Sequence, residues 1–335
     1  MQPKKIVFKL LLALNCIVLG LQLWVMGVVV PFDANPLYPL AVPLLVGING
    51  FFFILWILRG QWPFLVFIAI FLLSYQEWNR LYRFPNNAIP VEKGLKVMSY
   101  NVRLFNQYQW INDKNIPQKI SQFIREQAPD VLCIQEYSSM QAPNFSQYPY
   151  RYVRSSQSLG NNGVALFSKY PLIRTGAISF EDSENSSIYA DIQYKSDTLR
   201  IYNIHFESLR VNVNDTLLSS TGSERLLQRL KRTFKKQEEQ QQQIARNQQL
   251  HTYPTIICTD LNNTAFSKVY RQLKGELSDA FSRSGTGFGS TYQLGPLPYR
   301  IDFIFADLRF QVLRFTTHEP KLSDHRAISA ELIWR

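Results

Sequence analysis

Two long stretches near the start of the chain carry no charged side chain, and this feature limits the possible folds more than any other. They cover residues 10–30 and 34–58 of a 335-residue sequence. A helix needs about 20 predominantly apolar residues to cross the hydrocarbon core of a bilayer. Both stretches reach that length, so the sequence predicts N-terminal transmembrane helices.

A third apolar stretch, residues 61–76, is shorter and is flanked by Trp62 and Trp78. Tryptophan is enriched where membrane helices meet the interface, so these side chains favour a third crossing. The alternative is a helix that lies in the interface or docks on the following domain. We predict a transmembrane anchor over residues 1–84, with about three helices over 6–30, 37–58 and 62–78.

Basic residues bear on the orientation of this anchor. Lys4, Lys5 and Lys9 precede the first stretch and favour a cytoplasmic N-terminus. They also fit a cleaved signal peptide, but the apolar run is longer than the usual h-region and no clear cleavage site follows it. Three crossings of an inner or plasma membrane would place the rest of the chain on the outer side, periplasmic or extracellular. Two crossings would leave it in the cytoplasm, and Arg80 and Arg83 oppose the outer placement.

The chain beyond the anchor has the composition of an ordinary folded domain. Six of the 36 basic and two of the 25 acidic residues lie in the first 90 positions, so the remainder carries +7 of the total charge of +11. Three cysteines are too few for a disulfide scaffold, and 46% hydrophobic residues exclude a disordered chain. We predict a linker over residues 85–94 and one domain over residues 95–335.

Short apolar runs alternate with helical patterns in this domain, which indicates a layered α/β fold. An amphipathic helix is predicted over residues 116–127. A long polar helix over 223–250 has a basic face that suits solvent, a membrane surface or a polyanion. The stretch 207–223 before it is an unassigned loop, which we expect to be mobile and able to cover a cleft. The predicted strands cover residues 95–101, 130–135, 163–168, 187–194, 199–205, 255–259, 299–305 and 327–333.

Polar residues stand at the ends of these predicted strands, where side chains from distant chain positions meet in one cleft. Asp302 differs, because it lies inside an apolar run and a buried carboxylate is costly unless it is paired. Pairing with an imidazolium at His325 would remove this cost and orient the histidine. The candidates at strand ends are Asn101, Glu136, His205, Asp260, Asn262, Asp324 and His325.

These residue types favour a site for a hard divalent cation. Carboxylate and amide oxygens suit Mg²⁺, Mn²⁺ or Ca²⁺, and no cysteine cluster or histidine pair at metal spacing supports zinc. A cation together with His and Asp suits the attack of water on a phosphate ester. Taken singly, Asn101 and Asn262 also fit turn or cap positions, and His205 fits a buried sheet histidine. These structural roles do not explain why all the polar candidates occur together at the ends of successive predicted strands.

Eight short segments follow one another in an order that is recognisable. Through them the chain resembles the endonuclease/exonuclease/phosphatase superfamily, which includes DNase I-like nucleases, abasic-site endonucleases, neutral sphingomyelinases and inositol polyphosphate 5-phosphatases. The segments are MSYNVR (98–103), PDVLCIQEY (129–137), GVALFSKYPL (163–172), YNIHFES (202–208), IICTDLNNT (256–264), STYQ (290–293), YRIDFIF (299–305) and LSDHRAIS (322–329).

The resemblance implies a four-layer α/β sandwich with two packed sheets and an active site at one edge. It also implies a divalent metal, Mg²⁺ or else Mn²⁺ or Ca²⁺, held by Asn101 and Glu136 with Asp324 close to it. The family usually has a second aspartate where this chain has Asn263, for which we expect a structural role. It usually has a proline after the Asp-His pair, where this chain has Arg326.

The resemblance further implies the catalytic roles. Asp260 would polarise the attacking water, and Asn262 would hold a phosphoryl oxygen in the transition state. Asp302 would orient His325. His205 and His325 would bind the scissile phosphate or move protons.

Anchor and site together predict a membrane-anchored, metal-dependent phosphodiesterase. A phospholipid or sphingolipid headgroup is an attractive substrate, because the anchor holds the domain at the bilayer. A membrane-bound endonuclease or exonuclease is the alternative, since a net positive domain suits a polyanion. An inositol-phosphate phosphatase and a non-catalytic binding module are less favoured. The expected partners are the lipid bilayer and the phosphate-ester substrate, with no obligate protein partner evident.

Overall fold

The computed structural model of the protein describes residues 3–28, 37–85, 94–155, 162–180, 183, 185–209, 220–295 and 297–334. Three sequence-based expectations lie partly outside these ranges. They concern the end of the first apolar helix at 29–30, the linker over 86–93, and the loop over 210–219, including its expected mobility.

The apolar N-terminal residues form two long helices that pack antiparallel. Helix α1 spans Pro3–Met26, and helix α2 spans Val42–Leu58 after a 3-10 turn at Tyr38–Ala41. Both helical segments are long and apolar enough to cross a membrane. They are joined at mid-length, where buried Asn15 donates to Asn49 across 3.2 Å. A polar contact between apolar helices of this kind fixes their pairing.

The third apolar stretch is interrupted at Ser74. Helix α3 spans Pro63–Leu73 and the single turn α4 spans Tyr75–Trp78. The hydroxyl of Ser74 donates to the Ile70 carbonyl at 2.6 Å and accepts from the Trp78 indole N–H at 3.0 Å. These two polar groups therefore have hydrogen-bond partners at the point where the helix is interrupted. Helix α3 alone rises about 16 Å, roughly half the hydrocarbon thickness. The third crossing therefore stays a prediction.

The rest of the described chain forms two six-stranded sheets and a short hairpin. The helices among them are α5 Ile116–Gln127, α6 Ser220–Gln248, α7 Lys268–Lys274 and α8 Ala280–Ser284. The strands are β1 Leu95–Asn101, β2 Val131–Ser138, β3 Tyr150–Ser155, β4 Asn162–Ser168, β5 Leu172–Ser179, β6 Ser186–Tyr194, β7 Asp197–His205, β8 Thr255–Asp260, β9 Ser278–Asp279, β10 Tyr292–Leu294, β11 Leu297–Tyr299, β12 Asp302–Ala306, β13 Phe310–Thr317 and β14 Ile328–Trp334.

Each sheet contains one parallel pair at its centre. The first sheet has the order β13–β14–β1–β2–β4–β3, with β1 parallel to β2. The second has the order β5–β6–β7–β8–β12–β9, with β7 parallel to β8. Strands β10 and β11 form a separate hairpin.

Three apolar layers hold the sheets and helices together. Side chains alternate along β1, so that Val97 faces the second sheet while Met98 faces α5. Between the sheets, Val97 packs in one cluster with residues of β7 and β8 such as Ile201. On the outer face of the second sheet, Tyr202 packs in one cluster with Tyr270 of α7. Helix, sheet, sheet and helix form four layers, so the predicted four-layer α/β sandwich is confirmed.

The observed strands differ from the predicted ones mainly where side chains are exposed. Strands β3, β5, β9, β10 and β13 were not predicted, and every residue of β3 and β5 is exposed or half-buried. The predicted strand over 299–305 is divided between β11 and β12, with Arg300 and Ile301 between them. Strand β2 continues past the predicted end to Ser138, so Glu136 lies within it.

Candidate active site

The topology of the two sheets brings the polar residues to one edge. The parallel strands β1 and β2 end at this edge, as do β7 and β8, while β12 runs antiparallel to β8 and begins there. His205 ends β7, Asp260 ends β8, and Asp302 begins β12. These three are direct partners across the sheet, with Asp260 in the middle. Asn101 ends β1 on the facing sheet.

A buried carboxylate holds His325 in this edge. The imidazole Nδ1 lies 2.9 Å from Asp302 Oδ2, and the Nε2 lies 3.7 Å from Asp260 Oδ2. Burial alone would lower the pKa of His325, but the charges of Asp302 and Asp260 outweigh it and hold the pKa well above its usual value. A raised pKa favours the protonated form of His325, in which the Nδ1–H donates to Asp302.

Asp260 lies at the centre of the cluster and is fully buried. One carboxylate oxygen accepts from the backbone N–H of Asn262 at 3.0 Å, and the other accepts from the Asn101 amide at 2.9 Å. Burial raises the pKa of Asp260 to about 6, although the nearby His325 and His205 oppose the shift. A carboxylate with this pKa can accept a proton near neutral pH.

A β-bulge turns Glu136 toward the site. The register of β2 against β4 shifts between Ile134 and Tyr137, and Glu136 has a positive φ of 48°. Its carboxylate accepts from the Asn101 amide nitrogen at 3.1 Å. Burial raises the pKa of Glu136, and the hydrogen bond from Asn101 offsets only part of this shift.

Asn101 presents its amide nitrogen, not its oxygen, to the two carboxylates. The amide oxygen accepts from the backbone N–H of Arg103 at 3.0 Å. To ligate a cation next to Glu136, the amide would have to turn over and present this oxygen instead.

Asn262 is held from two sides in a left-handed backbone conformation. Its φ is 50°, its amide donates to the Phe206 carbonyl at 3.0 Å, and its own carbonyl accepts from Gln237 at 3.3 Å. An amide nitrogen has two hydrogens, so the second can donate to a phosphoryl oxygen. The oxygen of Gln237 accepts from the amide of Asn263 at 2.9 Å, which gives Asn263 a structural partner.

Asp324 lies on the open side of the cluster, 3.3 Å from the Arg103 guanidinium. Arg103 in turn stacks over Trp110, with 4.3 Å between the guanidinium carbon and the ring centroid. The side chain of Asp324 is 30% exposed, whereas those of Asp260 and Asp302 are almost inaccessible.

The donor set fits a hard divalent cation beside Glu136. Asp260 is buried and Glu136 is partly buried, and the pKa of each is raised, so a bound cation would stabilise their charged forms. Within the described part of the chain, the buried Nε2 of His205 makes no hydrogen bond, and carboxylate oxygens of Asp260 and Glu136 lie 3.6 and 3.8 Å from it.

A second group of possible ligands lies deeper in the site. Atoms of Asp260, Asp302 and His325 lie within 4.8 Å of one another. The Nδ1 of His325 in this group is already paired with Asp302 at 2.9 Å, so the ligand set that we propose is the one beside Glu136. The assignment of a cation to Asn101, Glu136 and Asp324 remains a proposal.

Sequence reasoning did not identify three residues that shape the site. Arg103 lies in a segment that carried the resemblance, yet only its contact with Asp324 indicates a role. Thr291 accepts from the backbone N–H of Asp302 at 3.2 Å and so positions the strand that carries it. Gln237 belongs to a glutamine-rich helix whose sequence looks merely solvated.

Solved structures with the same architecture support this description of the fold. An endonuclease/exonuclease/phosphatase from Bacteroides vulgatus has a TM-score of 0.57 and 16% identity, covering 73% of this chain and 100% of that one. A humanised D. rerio TDP2 has a TM-score of 0.55 and 13% identity, covering 72% and 100%. A mannosyl-6-phosphatase from Bacteroides thetaiotaomicron has a TM-score of 0.52 and 16% identity, covering 72% and 100%. A search of curated proteins finds no match to the sequence.

The fold and the site together define a DNase I-like α/β sandwich. The model of the Endonuclease/Exonuclease/phosphatase family matches residues 98–325, which is more than half of the chain. The chain therefore belongs to the endonuclease/exonuclease/phosphatase family. The expectation of a hydrolase that acts on phosphate esters is confirmed at the level of this family.

Proposed function

We propose that the protein is a membrane-anchored, divalent-metal-dependent phosphodiesterase that hydrolyses the headgroup ester of a phospholipid or sphingolipid. One observation supports this most. The buried Asp302–His325 pair, Asp260 and Asn262 meet directly beside the end of an exposed apolar helix bundle.

The helix bundle exposes apolar side chains over much of its surface. Leu10, Ile17, Phe51 and Leu72 are each more than 60% exposed. Exposed apolar patches of this extent are rare on proteins surrounded by water, whereas lipid tails cover them without cost. Anchoring in a bilayer accounts for these faces.

The contacts between anchor and domain bear on the orientation. Phe266 of the domain packs against Met26 at the end of α1, and the Tyr299 hydroxyl donates to the Leu40 carbonyl at 2.9 Å. The basic N-terminus and Arg59 lie at the other ends of these helices. A cytoplasmic N-terminus would then go with a catalytic domain on the outer side of the membrane.

The chemistry follows from the side chains. When bound, a divalent cation would neutralise a phosphoryl oxygen and lower the pKa of water. Asp260 accepts a proton from the attacking water, and Asn262 donates to a phosphoryl oxygen. The water oxygen bonds to phosphorus while the ester P–O bond breaks, and His325, held by Asp302, protonates the leaving oxygen. The products are a phosphate monoester and an alcohol.

The test is hydrolysis of bis-p-nitrophenyl phosphate and of sphingomyelin by the full chain in lipid nanodiscs. We expect turnover with Mg²⁺, none after chelation by EDTA, and a loss of about a hundredfold or more in His325→Ala. His251→Ala is the matched control, since His251 lies away from the site and contacts Tyr202. Absence of turnover with Mg²⁺, Mn²⁺ and Ca²⁺ would refute the proposal and favour a binding module.

A membrane-bound nuclease is the second candidate, and the basic face of α6 supports it. Lys231, Arg232 and Lys235 are exposed on that helix, and a TDP2 from D. rerio with the same fold has been solved with a single-stranded DNA product. Plasmid nicking in place of phosphocholine release would decide for this candidate.

A further inference from the structure

An apolar cavity opens beside the catalytic amide of Asn262. It has a volume of about 110 Å³ and is lined by side chains of the domain and by Leu40 of the anchor. Tyr292 belongs to its wall, and the ring of Tyr292 lies 5.0 Å from that of His325. The cavity therefore begins at the reacting groups and ends at the membrane anchor.

The lining of this cavity is unsuited to a polyanion. The described residues that line it include Leu294 and Ile301, and none of these described residues carries a charged side chain. A nucleic-acid strand that left the site on this side would need cations for its phosphates. A hydrocarbon chain needs apolar surface, which Leu40, Leu294 and Ile301 offer beside the polar groups of Ser208 and Asn262.

Two further cavities neighbour the first one, and each shares a lining residue with the one before it. The second has about 240 Å³, lies between anchor and domain, and shares Tyr299 with the first; its lining is mostly apolar but includes Arg80 and Arg300. The third has about 340 Å³, lies among α1, α2 and α3, and shares Val46 with the second. Its wall is mostly apolar and includes Phe53 and Phe67.

We propose that this series of cavities binds the hydrocarbon part of a lipid phosphate ester, with the anchor turn Tyr38–Ala41 as one wall of the substrate site. The inference rests on the proposed function, since it assigns the group attached to the scissile phosphate. The lipid enters from the bilayer along the helices, and its phosphate reaches Asn262 and His325. The anchor is thus part of the substrate site as well as a tether.

The test is photo-crosslinking, which needs no turnover. A dodecyl phosphonate with a terminal diazirine is added to the full chain in nanodiscs, irradiated, and its adducts are mapped by mass spectrometry. We expect adducts on the anchor turn, on the hairpin of β10 and β11, and on Val46 or Phe53. An ethyl phosphonate with the same diazirine should label these positions at least tenfold less, because it lacks the buried methylenes.

A pair of matched variants tests the cavity itself. Leu294→Asn should reduce crosslinking by the dodecyl probe about tenfold, since it removes apolar contact from the wall. Leu308→Asn should leave it unchanged, because Leu308 is 58% exposed in the turn after β12, at the end of that strand opposite Asp302. Melting temperatures of both variants show whether each is folded, and the mapping on the unaltered chain stands without them.

Some outcomes would overturn the inference. Adducts confined to outward-facing helix residues such as Leu10 and Ile17 would do so, as would equal labelling by the two probes. Displacement of the dodecyl probe by an oligonucleotide, but not by lysophospholipid, would assign the cavity to a polyanion. Turnover of bis-p-nitrophenyl phosphate is measured separately on the unaltered chain, so a failed proposed function and a failed lipid site give different results.

Discussion

The substitution Gln237→Leu is expected to weaken both the fold and catalysis. Gln237 is fully buried on α6 and makes three hydrogen bonds. Its amide donates to the carbonyls of Glu207 at 2.8 Å and Asn262 at 3.3 Å, and its oxygen accepts from Asn263 at 2.9 Å. Leucine has a similar size but none of these groups, so the three partners would lose their bonds.

The magnitude follows from the number of partners left unpaired. Each buried polar group without a partner costs about 1 kcal/mol or somewhat more, so the total is roughly 3 kcal/mol. For a domain of this size, that corresponds to a fall in melting temperature of about 6–12 °C. The catalytic effect has another cause, because Asn262 loses the contact that holds its carbonyl. A shift of about 1 Å in its amide would lower kcat by roughly a hundredfold.

The assay measures thermal unfolding and hydrolysis of bis-p-nitrophenyl phosphate by the full chain in nanodiscs, well below the lowest melting temperature. Gln242→Leu is the matched control, since Gln242 is exposed on the same helix. Gln237→Glu keeps an acceptor for Asn263 but buries a carboxylate against the carbonyl oxygens of Glu207 and Asn262, so it should destabilise at least as much as Gln237→Leu. If Gln237→Leu behaves like Gln242→Leu, the reasoning is refuted. A lower melting temperature with unchanged kcat would refute only the positioning of Asn262.

Three further predictions concern charge and protonation. Asp302→Asn removes a charge that raises the pKa of His325, so the alkaline limb of the pH–rate profile should move to lower pH; an unmoved limb would argue against protonated His325 as the acid. Burial lowers the pKa of His318 to about 4. On acidification, His318 is protonated in the unfolded chain at a higher pH than in the folded chain. The free energy of unfolding should therefore fall between about pH 6.5 and 4, by at most about 2 kcal/mol. In His318→Gln, thermal unfolding at several pH values should show a weaker dependence on pH in this range. Arg200 forms a buried bidentate pair with Asp191 at 2.6 and 2.7 Å. Arg200→Met should therefore cost about 3–5 kcal/mol in thermal unfolding, and Arg200→Met with Asp191→Leu should recover most of the loss.

The sequence by itself determined the elements whose stability is local. Successive side chains of residues 95–101 point to opposite faces of β1, one of which packs on the second sheet and the other on α5. This two-residue period is visible in the sequence. The stretches before residue 60 carry no charged side chain because a charge is costly in an apolar environment, so their composition alone predicts apolar helices. Asp302 was identified in the same way, because a carboxylate within an apolar run requires a partner.

Only the tertiary structure decided how distant segments complete one another. The bulge that turns Glu136 toward Asn101 depends on how β2 pairs with β4, and no single segment encodes this register. Gln237 meets Asn263, and Tyr299 meets Leu40, across long separations along the chain. Hydrogen bonds and cavities of this kind depend on the packing of whole layers, so they leave no periodic pattern in the sequence. The contact of the N-terminal helical segment with the edge that carries the candidate site is the clearest case, since the sequence of each segment alone gives no sign of the other.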